Sequence, residues 1–168
     1  IASEYINLEA RIEMLKGEFF SNFDNTNDID YSYLNLGVNP NFEVLRDNLT
    51  INLGARIIYS GASGDSESKV YFYPKVTASF ILIDQIATLY AGALGGLQQN
   101  SYRSFANENP FVSPTLNILR TDQQYDAYGG IRGKLASNVS YNLKGGYMNE
   151  IDKPLFKLNP TKTLGDTD

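Results

Sequence analysis

The stretch Tyr5-Ile6-Asn7-Leu8-Glu9-Ala10-Arg11-Ile12-Glu13-Met14-Leu15 sorts its side chains by parity. Even positions Ile6, Leu8, Ala10, Ile12 and Met14 are apolar, while odd positions Asn7, Glu9, Arg11 and Glu13 are polar or charged. A helix advances about 100° per residue and would mix these two sets around its circumference. An extended strand alternates between two faces and keeps them apart. The stretch therefore reads as a strand with one apolar and one polar face.

Six further segments repeat the pattern. Tyr31 to Val44 sets Leu34, Leu36, Val38, Phe42 and Val44 against Asn35, Gly37, Asn39, Asn41 and Glu43. Leu49 to Tyr59 sets Leu49, Ile51, Leu53, Ala55, Ile57 and Tyr59 against Thr50, Asn52, Gly54 and Arg56. Val70 to Ile83 opposes Val70, Phe72, Val76, Ala78, Phe80 and Leu82 to Tyr71, Tyr73, Lys75, Thr77 and Ser79. Three weaker segments follow. Ala87, Leu89, Ala91, Ala93 and Leu97 alternate with Thr88, Tyr90 and Gln98. Tyr125, Ala127, Ile131 and Leu135 alternate with Asp126, Tyr128, Arg132 and Lys134, and Val139, Tyr141, Leu143 and Tyr147 with Ser140, Asn142 and Lys144.

Hairpins must match apolar face to apolar face, because a slip of one residue inverts every side chain. Pairing Val44 with Leu49 leaves the loop Leu45-Arg46-Asp47-Asn48 and sets Phe42 opposite Ile51 and Leu36 opposite Ile57. Pairing Leu82 with Ala87 puts Phe80 against Leu89 with Asp84-Gln85 at the turn. Pairing Leu135 with Val139 leaves Ala136-Ser137-Asn138 and lays Tyr141 across from Gly133, an aromatic ring over a bare glycine. The remaining connections are long: Lys16 to Asp30, Ser60 to Lys69 and Asn100 to Gln123. Short and long connections alternate strictly, as in outer-membrane barrels with tight periplasmic turns and long extracellular loops.

Composition agrees with β-structure: 12 Tyr, 9 Phe and 14 Gly, without Cys or Trp. A formal net charge of -5 argues against nucleic acid as a partner. No apolar run is long enough for a transmembrane helix, which leaves barrel strands open because only every second residue meets lipid. A soluble β-sandwich or lipocalin-like barrel also alternates. Against these stand strand lengths of about 11 to 14 residues, beyond the usual globular 5–6 and sufficient to cross a bilayer. Loop asymmetry, charges set well inside strands, and Tyr59, Tyr125 and Tyr147 near strand ends on the apolar face point the same way.

The expected architecture is all-β: an antiparallel up-and-down transmembrane β-barrel. Residues 1–168 would form a single partial domain of about seven strands within a larger barrel, because bacterial barrels have even strand numbers. Lipid-facing positions would be Leu8, Ile12, Leu36, Leu53, Ile57, Val76, Phe80, Leu89, Ile131 and Leu143. Lumen-facing positions would be Asn7, Glu9, Arg11, Glu13, Asn35, Asn52, Arg56, Lys75, Thr77, Arg132, Lys134, Asn142 and Lys144.

Three stretches carry a resemblance. They are Asn109-Pro110-Phe111-Val112-Ser113-Pro114-Thr115-Leu116, then Gln123 to Leu135, then Ser140 to Tyr147 leading into Asp152-Lys153-Pro154-Leu155-Phe156. Together they resemble barrel segments of TonB-dependent-receptor-like outer-membrane proteins of Bacteroidota, most clearly over the second half of the chain. The resemblance implies a location in the bacterial outer membrane and, in full receptors, energised uptake of large solutes through a plugged barrel. Neither a plug domain nor a TonB-box region is present in these residues.

Without His or Cys, no Ser-His-Asp or Cys-His nucleophile system and no ordinary zinc site can be assembled. No enzyme, catalytic residue, cofactor or metal is expected. Glu9 and Glu13 flank Arg11 as either a solute-steering patch or a structural salt-bridge ladder. Asp24, Asp28 and Asp30 with Asn22, Asn25 and Asn27 lack EF-hand spacing and read as an exposed turn. Gly61 to Ser66 precedes no helix and reads as a surface loop rather than a phosphate cradle. Pro110, Phe111, Val112 and Pro114 form a stiffened loop, either a ligand or partner contact or a loop rigid for its own stability.

Two functions stay open at this point. One is a barrel for solute uptake; the other is a plug-less structural or assembly barrel that docks partner proteins. Expected partners are outer-membrane lipid, the remaining strands of the same barrel and other envelope proteins. If the apolar face meets lipid, Leu53→Arg should cost about 2–4 kcal/mol in folding into lipid vesicles, whereas Asn52→Arg should be tolerated. Equal tolerance of both in a vesicle-folding titration would refute the face assignment.

Overall fold

The computed structural model describes residues 2–19, 29–63, 68–112 and 118–156. Seven strands follow one another: β1 (Ala2–Phe19), β2 (Ile29–Arg46), β3 (Leu49–Ser63), β4 (Lys69–Ile83), β5 (Ala87–Gln98), β6 (Thr121–Ala136) and β7 (Val139–Ile151). Each pairs antiparallel with its neighbour in sequence, giving one open sheet in the order β1-β2-β3-β4-β5-β6-β7. This is the up-and-down meander expected from hairpins that match like face to like face. The strands are longer than their alternation indicated. β1 continues past Leu15 to Phe19 and β2 begins at Ile29, so the first long connection is shorter than Lys16 to Asp30.

The hairpin registers keep the predicted faces, with a correction at each of the three turns. Between β2 and β3, Arg46 pairs with Leu49, Val44 with Ile51, Phe42 with Leu53 and Leu36 with Tyr59. The turn is therefore only Asp47-Asn48, two residues tighter than expected, and the even shift preserves which side chains share a face. Asp47 makes the tight turn possible by adopting a left-handed backbone (φ 41°), which Asp tolerates better than most residues. Phe80 pairs with Leu89 and Gly133 with Tyr141 as predicted. Ladder irregularities shift the last pairs before those turns to Ile83 with Ala87 and Ala136 with Val139.

One helix escaped the sequence reading. α1 (Tyr102–Glu108) starts at Ser101, whose hydroxyl accepts from the Ser104 backbone N–H while the Ser104 hydroxyl accepts from the Ser101 N–H. This is a capping box with Ser in the place usually taken by Glu or Gln, so the common sequence signature is absent. Among the described residues no helix is long and apolar enough to cross a membrane.

The sheet curls toward its polar face. Glu9 on β1 and Lys75 on β4 approach to 3.6 Å although two strands lie between them. Neighbouring strands lie about 4.8 Å apart, so a flat sheet would hold these backbones about 14 Å apart. Arg56 on β3 donates to the Gly95 carbonyl on β5 (3.1 Å), and the Tyr73 hydroxyl on β4 donates to Asp122 on β6 (2.8 Å). The concave side is thus polar, and its Asn35, Asn39 and Ser60 are buried. The convex side is apolar and open: Ile6, Leu8, Ile12 and Leu143 are each more than two-thirds exposed, at 82%, 73%, 71% and 72%. Tyr59, Tyr125 and Tyr147 also sit exposed on that outer side, at the rim of the long connections.

Tyrosine facing glycine recurs on the concave side. Gly17 pairs with Tyr31, Gly130 with Tyr90 and Gly92 with Tyr128, and a fourth such pair, Gly133 with Tyr141, lies on the convex face. A Cβ at Gly92 would stand 2.6 Å from the Tyr128 hydroxyl, and one at Gly130 would stand 2.5 Å from the Tyr90 ring. Tyr141 reaches across Gly133 to donate to the Ile86 carbonyl at 2.9 Å. The absent side chain lets the ring lie flat on the neighbouring backbone, which covers the ladder and fixes its register. Gly92→Val should accordingly cost about 1–3 kcal/mol through overpacking. Gly145→Ala, where nothing lies within 4 Å, should stay within about 0.5 kcal/mol in the same urea titration.

Candidate functional site

Parity along the strands delivers the polar side chains to the concave face, and curvature then brings them together. In its middle, Lys75 pairs with Glu9, Arg11 pairs with Glu13 at 2.5 Å, and Asn41 donates weakly to Asn52 at 3.4 Å. Arg56 lies beside Gly96, whose missing side chain leaves room for the guanidinium. Asn39 is buried with its side-chain oxygen unpartnered among the described residues, leaving an acceptor for a donor supplied by solvent or solute. The ion pairs are more than one-third exposed on at least one partner, so solvent screens them and they contribute little stability. Their chemistry is that of a wetted polar wall.

Toward the rim of the long connections, the concave face is closed over by the chain itself. The connection after β5 turns inward at both of its ends. Asn35 on β2 donates to Gln99 at 3.2 Å, and Asn100 donates to the Leu119 carbonyl (2.8 Å) and to Thr121 (2.9 Å). The Tyr33 hydroxyl donates to the Ile118 carbonyl at 2.7 Å, and Ile118 is almost completely buried. Arg120 donates to the Ser60 hydroxyl, which donates in turn to Asn35. The Arg120 guanidinium also lies 4.8 Å over the Tyr33 ring. Helix α1 completes this end, its buried Phe105 meeting Phe156 after β7 edge to face at 6.3 Å.

A third region lies on β5, β6 and β7. Arg132 stands 5.5 Å over the Tyr90 ring and Lys144 stands 4.0 Å over the Tyr128 ring. The two rings are 6.2 Å apart, and the Tyr90 hydroxyl donates to Asn142 at 2.6 Å. A cleft of about 250 Å³ adjoins them, lined by Thr50, Asn52, Thr77, Ser79 and Arg132 among others.

The structure brings Glu9, Asn35, Asn52, Arg56, Lys75, Thr77, Arg132, Asn142 and Lys144 onto this one curved face. Asn7, Arg11 and Glu13 share it along the outermost strand, and Lys134 near the short-turn rim. Strand pairing sets Leu8, Ile12, Leu36, Leu53, Ile57, Val76, Phe80, Leu89, Ile131 and Leu143 on the opposite face. In the stiffened loop, Asn109 organises the turn: its side chain accepts from the Phe111 N–H and its carbonyl accepts from the Val112 N–H. Pro110 and Phe111 point into solvent, Phe111 at 95% exposure. Pro114 lies outside the described residues, as do Asp24, Asp28 and their neighbouring asparagines. Among the described residues no cluster of acidic side chains could hold a metal ion.

Sequence reading missed Tyr33, Ser60, Asn100, Arg120 and Asp122. Tyr33 was legible from parity alone, but the other four fell inside connections treated as loops. A bulge brings Asp122 into place: β6 carries one residue more than β5 and β7 between Gln123 and Asp126, which re-aims the strand start.

Comparison with family models, with curated proteins and with solved structures returns no match.

The inward-turned connection depends on few hydrogen bonds. Tyr33→Phe should remove about 0.5–1.5 kcal/mol of its attachment and speed amide exchange at Leu119 and Arg120. Unchanged exchange would show that packing of Ile118 alone holds the connection.

Proposed function

We propose that this chain is a set of transmembrane strands of a bacterial outer-membrane β-barrel whose polar face lines a solute path. The observation that carries the reading is the inversion of the two faces. Ile6, Leu8, Ile12, Leu143 and their neighbours stand exposed on the convex side, while Asn35, Asn39 and Ser60 are buried on the concave side. In water this arrangement exposes apolar area at about 25 cal/mol per Å² and makes a patch far beyond what soluble monomers carry. Lipid removes that cost. Strands of 12 to 18 residues suffice to cross a bilayer with tilt. The two free edges, β1 and β7, would be paired by further strands in a closed barrel.

Within this reading, the TonB-dependent-receptor-like resemblance of the second half supplies the family, and solute uptake across the outer membrane the activity. The connection folded onto the concave face at the long-loop rim would narrow the path. A second reading, an assembly barrel that docks envelope proteins through its loops, is favoured by one feature: the almost fully exposed Phe111 ring on that rim.

The chain contains no Trp, which makes a single introduced Trp a clean reporter. In vesicles of brominated-chain phospholipid, Leu143→Trp fluorescence should be strongly quenched and Asn142→Trp fluorescence should not. Equal quenching at both positions, or none at either, would overturn the membrane assignment. Single-channel conductance of the folded protein in planar bilayers separates a solute path from a closed assembly barrel.

A further inference from the structure

The chain carries a formal net charge of -5, yet the concave face of β6 and β7 is cationic. Arg132 pairs across the ladder with Asn142, Lys134 with Ser140 and Lys144 with Gly130. The three cations therefore share one face, with Arg132 and Lys144 as diagonal neighbours about 7–8 Å apart at the backbone. Elsewhere on this face Lys75 pairs with Glu9 and Arg11 with Glu13, while Arg56 is bonded to the Gly95 carbonyl and Lys69 lies over the Tyr71 ring. Among the described residues no carboxylate forms an ion pair with Arg132, Lys134 or Lys144. The acidic side chains on the same face of β6, Asp126 and Asp122, are six and ten residues from Arg132, and Asp126 pairs with Met148, four residues from Lys144.

Tyrosine rings hold two of these cations instead. A ring attracts the cation through its quadrupole and leaves the net charge in place. Both rings are themselves fixed, Tyr128 over Gly92 and Tyr90 over Gly130, and Tyr90 is further tied to Asn142. The charged groups are thus positioned in advance rather than free to turn to solvent, which lowers the ordering cost of binding. The adjoining cleft of about 250 Å³ is walled by Thr50, Thr77 and Ser79. Among the described residues the hydroxyls of these three side chains make no hydrogen bond.

We propose that this cleft is a binding site for a small, hydroxyl-bearing solute that carries an oxyanion: a sugar phosphate or a hydroxy acid. The Arg132 fork receives the oxyanion with Lys144 beside it, since a guanidinium offers paired donors to a carboxylate or phosphate. The Thr50, Thr77 and Ser79 hydroxyls face the hydroxyl groups of the solute. The cleft is slightly smaller than most ligand pockets, so it takes a single ring or short chain and not an oligomer. This deepens the solute-path reading by naming the class of solute, and it rests on that reading only for its physiological direction, not for binding itself.

The test is calorimetric titration of the closed barrel that contains this chain, purified in detergent, with glucose 6-phosphate and, separately, with glucose. Glucose 6-phosphate is expected to bind at least about tenfold more tightly, and its affinity should fall as salt is raised. Arg132→Gln and Lys144→Gln should each weaken it about tenfold, while Lys153→Gln, which removes a charge after β7, should leave it unchanged. Equal affinity for the two ligands, affinity indifferent to salt, or no binding would overturn the proposal. Should a variant fail to fold, the ligand comparison and salt dependence of the unaltered chain decide alone. Quenching by brominated lipid is read independently: binding without insertion removes the membrane assignment and keeps the anion site, and insertion without binding does the reverse.

Discussion

Everything in this molecule follows from the side of the sheet that faces outward. The convex surface is built from Ile6, Leu8, Ile12, Leu36, Leu53, Ile57 and their counterparts on later strands, and its contact with an apolar medium would set the sheet's orientation. Once that face is committed, strand parity sends every intervening side chain to the concave side. Among the described residues few apolar side chains are then buried. The interior is mostly amide, hydroxyl, charge and tyrosine, with Ile58, Phe105 and Ile118 buried among them.

An interior made this way must fill space with few branched apolar residues, and tyrosine set against glycine does so. Inside, rings at Tyr31, Tyr90 and Tyr128 lie over Gly17, Gly130 and Gly92, and on the outer face Tyr141 pairs with Gly133. Each ring supplies apolar bulk to the backbone beneath and presents a hydroxyl to neighbours, as Tyr141 does to Ile86 and Tyr90 to Asn142. The abundance of both residue types, 12 Tyr and 14 Gly, has this packing as one physical cause.

The face is not uniform from one rim to the other. At the long-connection rim the chain seals its own surface through Tyr33, Ser60, Asn100 and Arg120. The middle holds the Glu9–Lys75 and Arg11–Glu13 pairs beside Arg56, which is bonded to the Gly95 carbonyl. Toward the short-turn rim, positive charge on β6 and β7 is held on tyrosine rings without carboxylate partners among the described residues. Such a gradation, from covered to largely ion-paired to cationic, gives a polar surface direction along the strands.

Strand number, order and face were legible in the sequence, because a period of two residues is a local property that each segment displays by itself. The Tyr141–Gly133 pairing was readable for the same reason, lying next to a short turn. The exact hairpin register between β2 and β3 was not. Pairings two residues apart satisfy the faces equally, and the choice fell to Asp47, which accepts a left-handed backbone and so permits the tighter turn. Helix α1, the bulge in β6 and the inward path of the connection around Asn100 and Arg120 required the tertiary structure, since their partners lie up to 85 residues away. Curvature belongs there too. Alternation marks Glu9 and Lys75 as sharing a face, but only the curl of the whole sheet closes them to 3.6 Å.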